Sequence, residues 1–204
     1  MGVEHWERIY ETKADEETSW FEPDPATSLR LVEEALEGNE AACVIDVGGG
    51  TSRLVDHLLL DLGLECLAVL DISASALARA SERLGSDASR VEWIASDITE
   101  VDSLPQFDVW HDRAVLHFLI DQADRAKYSD LAGRTVPLGG HAIIAAFGLS
   151  GPEQCSGLPV QRYDEDGLSQ VLGSSFSLDY AFEAEHLTPF GTTQSFIFAT
   201  FERV

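Results

Sequence analysis

The stretch 44-VIDVGGGTSRL-54 decides how this chain is read. An apolar run ends in an acid, three glycines follow in a row, and a helix-like apolar pattern begins beyond them, which is the order of strand, tight turn and helix. A dinucleotide loop of the form G-x-G-x-x-G/A needs a small last residue so that helix and strand can pack closely. Counted from Gly48, that place holds Arg53, so the dinucleotide fingerprint is broken and the loop must serve another ligand.

Outward from the loop the alternation continues. The pattern predicts a strand from residue 41, a helix over 51–62, a strand over 65–72, a helix opened by Ser73 and closed by Gly85, strands at 90–95 and 107–112, a helix over 123–134 and a strand over 140–147. Continuous apolar strands separated by helices predict a parallel sheet covered on both faces, a doubly wound α/β domain. After a helix over 164–172, two long strands at 175–187 and 192–204 are joined only by Thr188 to Gly191, so they must pair antiparallel.

Upstream, residues 4–13 read as a short helix with Trp6, Ile9 and Tyr10 on one face. The acidic stretch 14-ADEETSWFEPDP-25 is a lid or a tether carrying Trp20 and Phe21, and Asp24 is expected to cap a helix that begins at Pro25 and stops at Gly38. With no repeat or linker, residues 1–204 form one domain, N-terminal helices and lid over 1–39 and an α/β core over 40–204.

Thirteen basic residues face 36 acidic ones, a net charge of −23, and the acids run from Glu4 to Glu202. That field repels phosphate backbones and argues against nucleic acid and anionic membrane, while admitting small molecules or a basic protein partner. Solubility alone is an equally good use for the acids. The N-terminus lacks a signal-like apolar core, and the most apolar run, 141-HAIIAAFGL-149, is too short to span a bilayer, so a cytoplasmic protein is expected. Three cysteines with no C-x-x-C pair disfavour both a disulfide framework and a zinc site; no metal is expected, and Cys43 and Cys66 read as small core residues.

Open α/β sheets bind ligands at the carboxyl ends of their strands, near the point where strand order reverses. Here those ends carry Asp46 with Gly48 to Gly50, then Asp71, then Asp97, then His111, Asp112 and Arg113. Asp71 follows Gly50 by 21 residues, about where an acid accepts from both hydroxyls of a ribose, and Asp97 is placed to accept from an adenine amino group with Ile98 packed on the ring. Singly, each acid serves as well for capping a loop, a helix or a turn. Together, at successive strand ends, they point to a nucleoside.

The run Asp46, Val47, Gly48, Gly50, Thr51, with Gly49 in the variable slot, resembles the D-V-G-x-G-T motif of the class I S-adenosylmethionine-dependent methyltransferases. The glycine turn 136-VPLGGHAII-144 and the antiparallel last pair are similar to that family too, and the resemblance runs from about residue 40 to the C-terminus. It implies a Rossmann-like, mostly parallel seven-stranded sheet with an antiparallel last strand, helices on both faces and an N-terminal helical lid. S-adenosylmethionine is the implied cofactor, with S-adenosylhomocysteine as product. Gly48, Gly49, Gly50 and Thr51 beside Asp46 would border its methionine end, Asp71 with Ile72 its ribose, and Asp97 with Ile98 its adenine. Arg53 fits as well, because no second nucleotide crosses the sheet.

In the family the catalytic loop follows the fourth strand, here 107-FDVWHDRAVLHFL-119. His111 or Asp112 is the candidate base, Arg113 a candidate carboxylate anchor, and His117 lies one turn beyond; an Asp112–Arg113 ion pair and a buried, satisfied His117 are the structural alternatives. The segment 147–167 either borders the acceptor pocket, through Cys155, Arg162 and Tyr163, or is a surface excursion. Tyr10, Trp20 and Phe21 would close the opposite side. With 110-WHDR-113 in place of an N/D-P-P-Y tetrad, a small-molecule acceptor is expected first and a lysine of a partner protein second. A non-catalytic module that keeps the fold for binding is the reading from another class.

Overall fold

The computed structural model describes residues 2–204; Met1, included in the expected domain span, lies outside them. Seven strands form one sheet in the order β3-β2-β1-β4-β5-β9-β8. The five strands β1 (Cys43–Val47), β2 (Cys66–Asp71), β3 (Val91–Ala95), β4 (Val109–Arg113) and β5 (His141–Phe147) run parallel. The hairpin of β8 (Phe176–Leu187) and β9 (Thr193–Arg203) adds antiparallel pairing, β9 lying against β5. This is the Rossmann-like α/β architecture expected, and the strand order reverses between β1 and β4.

Val44, Ile45 and Val47 are fully buried because β1 sits at the centre with layers on both sides. One layer holds α1 (Val3–Thr12), α2 (Ala26–Leu36), α3 (Leu54–Leu60) and α4 (Ala74–Leu84); the other holds α5 (Gln122–Thr135) and α6 (Glu165–Leu172). Side chains alternate along each strand, so Val44 and Asp46 face the first layer while Ile45 and Val47 face the second.

Local expectations shift in four places. Pro25 itself is the cap residue of α2, and the exposed Asp24 makes no cap bond. Helix α3 starts at Leu54, because Thr51 to Arg53 are spent on the turn, where the Ser52 hydroxyl accepts from the Leu54 N–H. The long segment after β5 contains a small hairpin, β6 (Gln154–Cys155) and β7 (Leu158–Pro159). Cys43 and Cys66, read as separate core thiols, are joined by a disulfide: they are the first residues of β1 and β2 and stand directly opposite in register, with Cα atoms 4.6 Å apart. Cys155 is the free, buried thiol. Among the described residues no helix is long and apolar enough to cross a membrane.

Candidate active site at the carboxyl edge of the sheet

The ends of β1, β2, β3 and β4 open into a cleft, with a second, smaller chamber that shares Tyr10, Trp20, Gly48 and Arg113 with it. Between β1 and α3 the chain turns on Gly48 and Gly50, whose φ values of 73° and 48° suit residues without a side chain. Gly49 is no variable position here: a Cβ on it would sit 2.6 Å from both Asp46 Oδ2 and Val69.

The first chamber is lined by Asp71, Ile72, Asp97 and Ile98 from the ends of β2 and β3. Asp71 is buried, and its Oδ1 accepts from the Ser73 N–H at 2.8 Å. Burial, reinforced by Asp46 and Glu7 against the N–H bonds of Ser73 and Gly50, pushes its carboxyl up to about 7. Asp97 Oδ1 accepts from the backbone and the hydroxyl of Thr99 at 2.9 and 2.7 Å, which fixes the carboxylate at the chamber wall.

The second chamber is polar at its floor. Asp46 and His111 stand opposite each other on β1 and β4, and Asp46 Oδ1 lies 2.7 Å from His111 Nδ1. A carboxylate only accepts, so Nδ1 carries a hydrogen in this contact and Nε2 is the ring nitrogen left over. Both side chains are 3% exposed, yet His111 Nε2 and Asp46 Oδ2 have no partner, and neither does the Ser28 hydroxyl that lines the same chamber with Thr51. Buried polar atoms left unpaired beside a cavity are where a ligand is expected.

Trp6 and Tyr10 of α1, with Trp20 of the following segment, roof the cleft. Trp6 packs edge-on against Trp20 and Phe118 at 5.8 and 5.0 Å. Phe21 lines the second chamber and Cys155 the first, its thiol pushed up by burial.

Other expected site residues are placed elsewhere. Asp112, one step along β4 from His111, faces the opposite layer: Oδ2 accepts from Tyr128 Oη at 2.6 Å and from the Leu116 N–H at 3.1 Å, and Oδ1 from the Val115 N–H. It is fully buried, which pushes it up to about 6 despite those donors, and it reaches neither chamber. It forms no ion pair with Arg113, which binds Glu22 instead. Nδ1 of His117 accepts from the Phe147 N–H at 3.3 Å, and burial, then the charge of Arg113, pushes the ring down to about 3, so it is a neutral core histidine outside both chambers. Arg162 staples its own loop through Leu149 O, Gly151 O and Glu153, and Tyr163 packs in the second layer; neither lines the cleft.

Glu22 and Ser28 of the second chamber were invisible to sequence reasoning, one hidden in an acidic run and the other on a helix face. Trp6 carried a signal, since it shares a helix face with Tyr10.

Residues 45–136 match the sequence profile described as a methyltransferase domain. No curated protein sequence matches the chain. Among solved structures, the N-methyltransferase NodS from Bradyrhizobium japonicum WM9, in complex with S-adenosylhomocysteine, superimposes with a TM-score of 0.70 at 16% identity, covering 97% of each chain. The 1,6-didemethyltoxoflavin-N1-methyltransferase of Burkholderia thailandensis gives 0.68 at 18% identity, over 99% of this chain and 84% of that one. A protein described with the conversion of a disulfide bond into a thioacetal group during echinomycin biosynthesis gives 0.75 at 17%, over 98% and 91%. These likenesses establish a shared fold.

Proposed function

We propose that the chain is a class I S-adenosylmethionine-dependent methyltransferase, a reading supported by its methyltransferase-domain match and shared fold, and that it methylates a small molecule whose acceptor atom arrives carrying a hydrogen, with His111 as the base. The observation that carries this reading is the unpartnered His111 Nε2 in the roofed second chamber, beside the glycine turn, where the acceptor would meet the amino-acid end of the cofactor.

The residues present fit the cofactor. Asp71 and Asp97 stand one strand apart to accept from ribose and adenine, Ile72 and Ile98 supply the apolar faces, and the glycine turn leaves backbone open to the amino-acid end. When bound, S-adenosylmethionine supplies an electrophilic methyl group on a sulfonium. The protein's part is then to orient the acceptor, exclude water and take a proton. The aromatic roof serves the first two. His111 Nε2 takes the proton while Asp46 holds Nδ1–H, fixing the tautomer and stabilising the ring as it becomes charged. Arg113 is already neutralised by Glu22 at 2.9 Å, which favours an uncharged or cationic acceptor over a carboxylate, in keeping with the acidic body. An acceptor reached beneath this roof is small; a lysine on a folded partner would have to displace Trp20.

The test has two stages. Calorimetric titration should show binding of S-adenosylmethionine and S-adenosylhomocysteine but not NAD. A radiolabelled-methyl screen over metabolites and lysate proteins, separated by size, should then place label in the small fraction; label in protein alone would overturn the small-molecule reading.

A further inference from the structure

Residues 19–22 are held to the sheet by Arg113 and His186 in the same way. Arg113, at the end of β4, donates from Nη1 to Trp20 O at 3.1 Å and places Nη2 2.9 Å from Glu22 Oε1. His186, near the end of β8, donates from Nε2 to Ser19 O at 2.8 Å and places Nδ1 3.2 Å from the same Glu22 oxygen. Each side chain therefore takes one backbone carbonyl of the segment and lies against the same carboxylate oxygen. Phe196 braces the pair, its face 4.9 Å beneath the Arg113 guanidinium and its ring edge-on to His186. Burial pushes the Glu22 carboxyl up, but the His186 and Arg113 contacts outweigh it and leave it below the ordinary carboxylate range.

The other half of the roof is fastened separately. Glu7 of α1 accepts from the Ala74 and Ser75 N–H groups at the start of α4, and Arg79 of α4 grips Tyr10 O, Lys13 O and Asp15. Trp6 and Tyr10 are thus tied to α4, over the Asp71 side, while residues 19–22 take their polar ties from Arg113 of β4 and His186 of β8, with Glu22 between the two and Trp20 meeting α1 only by ring contacts with Trp6 and Tyr10.

We propose that Glu22 is a positioning residue that latches residues 19–22 and Trp20 over the second chamber independently of α1, so that its release governs how fast ligands enter and leave. The kinetic part rests on the cofactor reading above; the latch itself does not.

Glu22→Gln removes the charge at nearly constant volume, and His186→Gln loosens the same latch from the sheet side. In full-length protein, each substitution should raise amide hydrogen exchange over residues 18–25 while leaving 3–12 as in the wild type. The dissociation rate of S-adenosylhomocysteine, followed by tryptophan fluorescence in stopped flow, should rise about tenfold in each, because breaking a desolvated charge contact acts mainly on the off-rate. The double variant should be no faster than the faster single one, as expected for two residues of one device. Unchanged exchange over 18–25, equal loosening of α1, or additive rates would overturn the proposal. If wild-type protein does not bind S-adenosylhomocysteine, the functional reading fails and the exchange comparison alone decides the latch. Should Glu22→Gln fail to fold, His186→Gln decides by the same two measurements.

Discussion

The two faces of β4 put neighbouring residues to opposite uses. His111 and Arg113 point into the chambers, where His111 keeps an unpartnered Nε2 and Arg113 fastens the roof. Asp112, between them in sequence, faces the other layer with both oxygens engaged by Tyr128 Oη and two backbone N–H groups. His117, a few residues on, accepts from the Phe147 N–H and is shut away from the cleft. Within β4 the period of two divides 111-HDR-113 into side chains that a ligand can meet and one that holds the strand end in place, while His117 lies beyond the strand in a short turn packed on Phe118 and Phe147. Burial alone does not tell them apart, since His111 and Asp112 are both buried; free hydrogen-bonding capacity beside a cavity does.

That division is open to attack from each side. On the site face, His111→Gln preserves a polar partner for Asp46 but cannot take a proton. Turnover in the methyl-transfer assay should fall about 10²- to 10⁴-fold, with the unfolding midpoint close to wild type. Normal turnover would remove His111 as the base. On the core face, Asp112→Ala leaves three donors without their acceptor and should cost about 3–5 kcal/mol in urea unfolding, including the Tyr128 hydroxyl at 2.6 Å. A loss of activity with stability intact would instead return Asp112 to the catalytic group.

The same contrast explains what could be read beforehand. The α/β order, the antiparallel hairpin and the strand-end acids were legible because burial on both faces enforces continuous apolar strands, and strand ends converge by topology. Which way each side chain of 111-HDR-113 points was not legible, for that depends on where β4 begins, and a shift of one residue exchanges the faces. Glu22 was hidden for another reason: among the acids of residues 15–24 nothing marks it, and its partners lie at positions 113 and 186. The Cys43–Cys66 disulfide depends on the register of two parallel strands, which a count of three cysteines conceals.

A smaller effect is expected at Asp71, on the cofactor side of the cleft. Asp71→Asn removes charge-assisted acceptance and should weaken S-adenosylhomocysteine binding about 10- to 100-fold by calorimetry. Because the carboxyl is pushed up to about 7, its ionised fraction, and with it the affinity, should fall as pH drops below that value in the wild type but not in the variant. An affinity that is indifferent to both changes would take Asp71 out of the binding site.

The smallest effect separates the two groups by pH. His117 is held neutral, its folded value near 3 against an ordinary 6.5, so the folded protein binds fewer protons than the unfolded chain between those values. Its contribution is therefore present above about 6.5 and is lost as pH falls towards 3, at no more than about 1.4 kcal/mol per pH unit. Asp112 acts with the opposite sign: raised to about 6, it contributes stability that is present below its ordinary 3.8 and is lost as pH rises through 6. The two partly cancel between 4 and 6, so the wild-type curve alone understates both. His117→Asn keeps an oxygen where Nδ1 accepts from Phe147 but has nothing to titrate, and the difference in unfolding free energy between variant and wild type should grow as pH falls through this window. A difference that stays flat would mean that His117 takes up its proton in the folded state, and that its pocket beside Phe118 and Phe147 is wetter than its hydrogen bond implies.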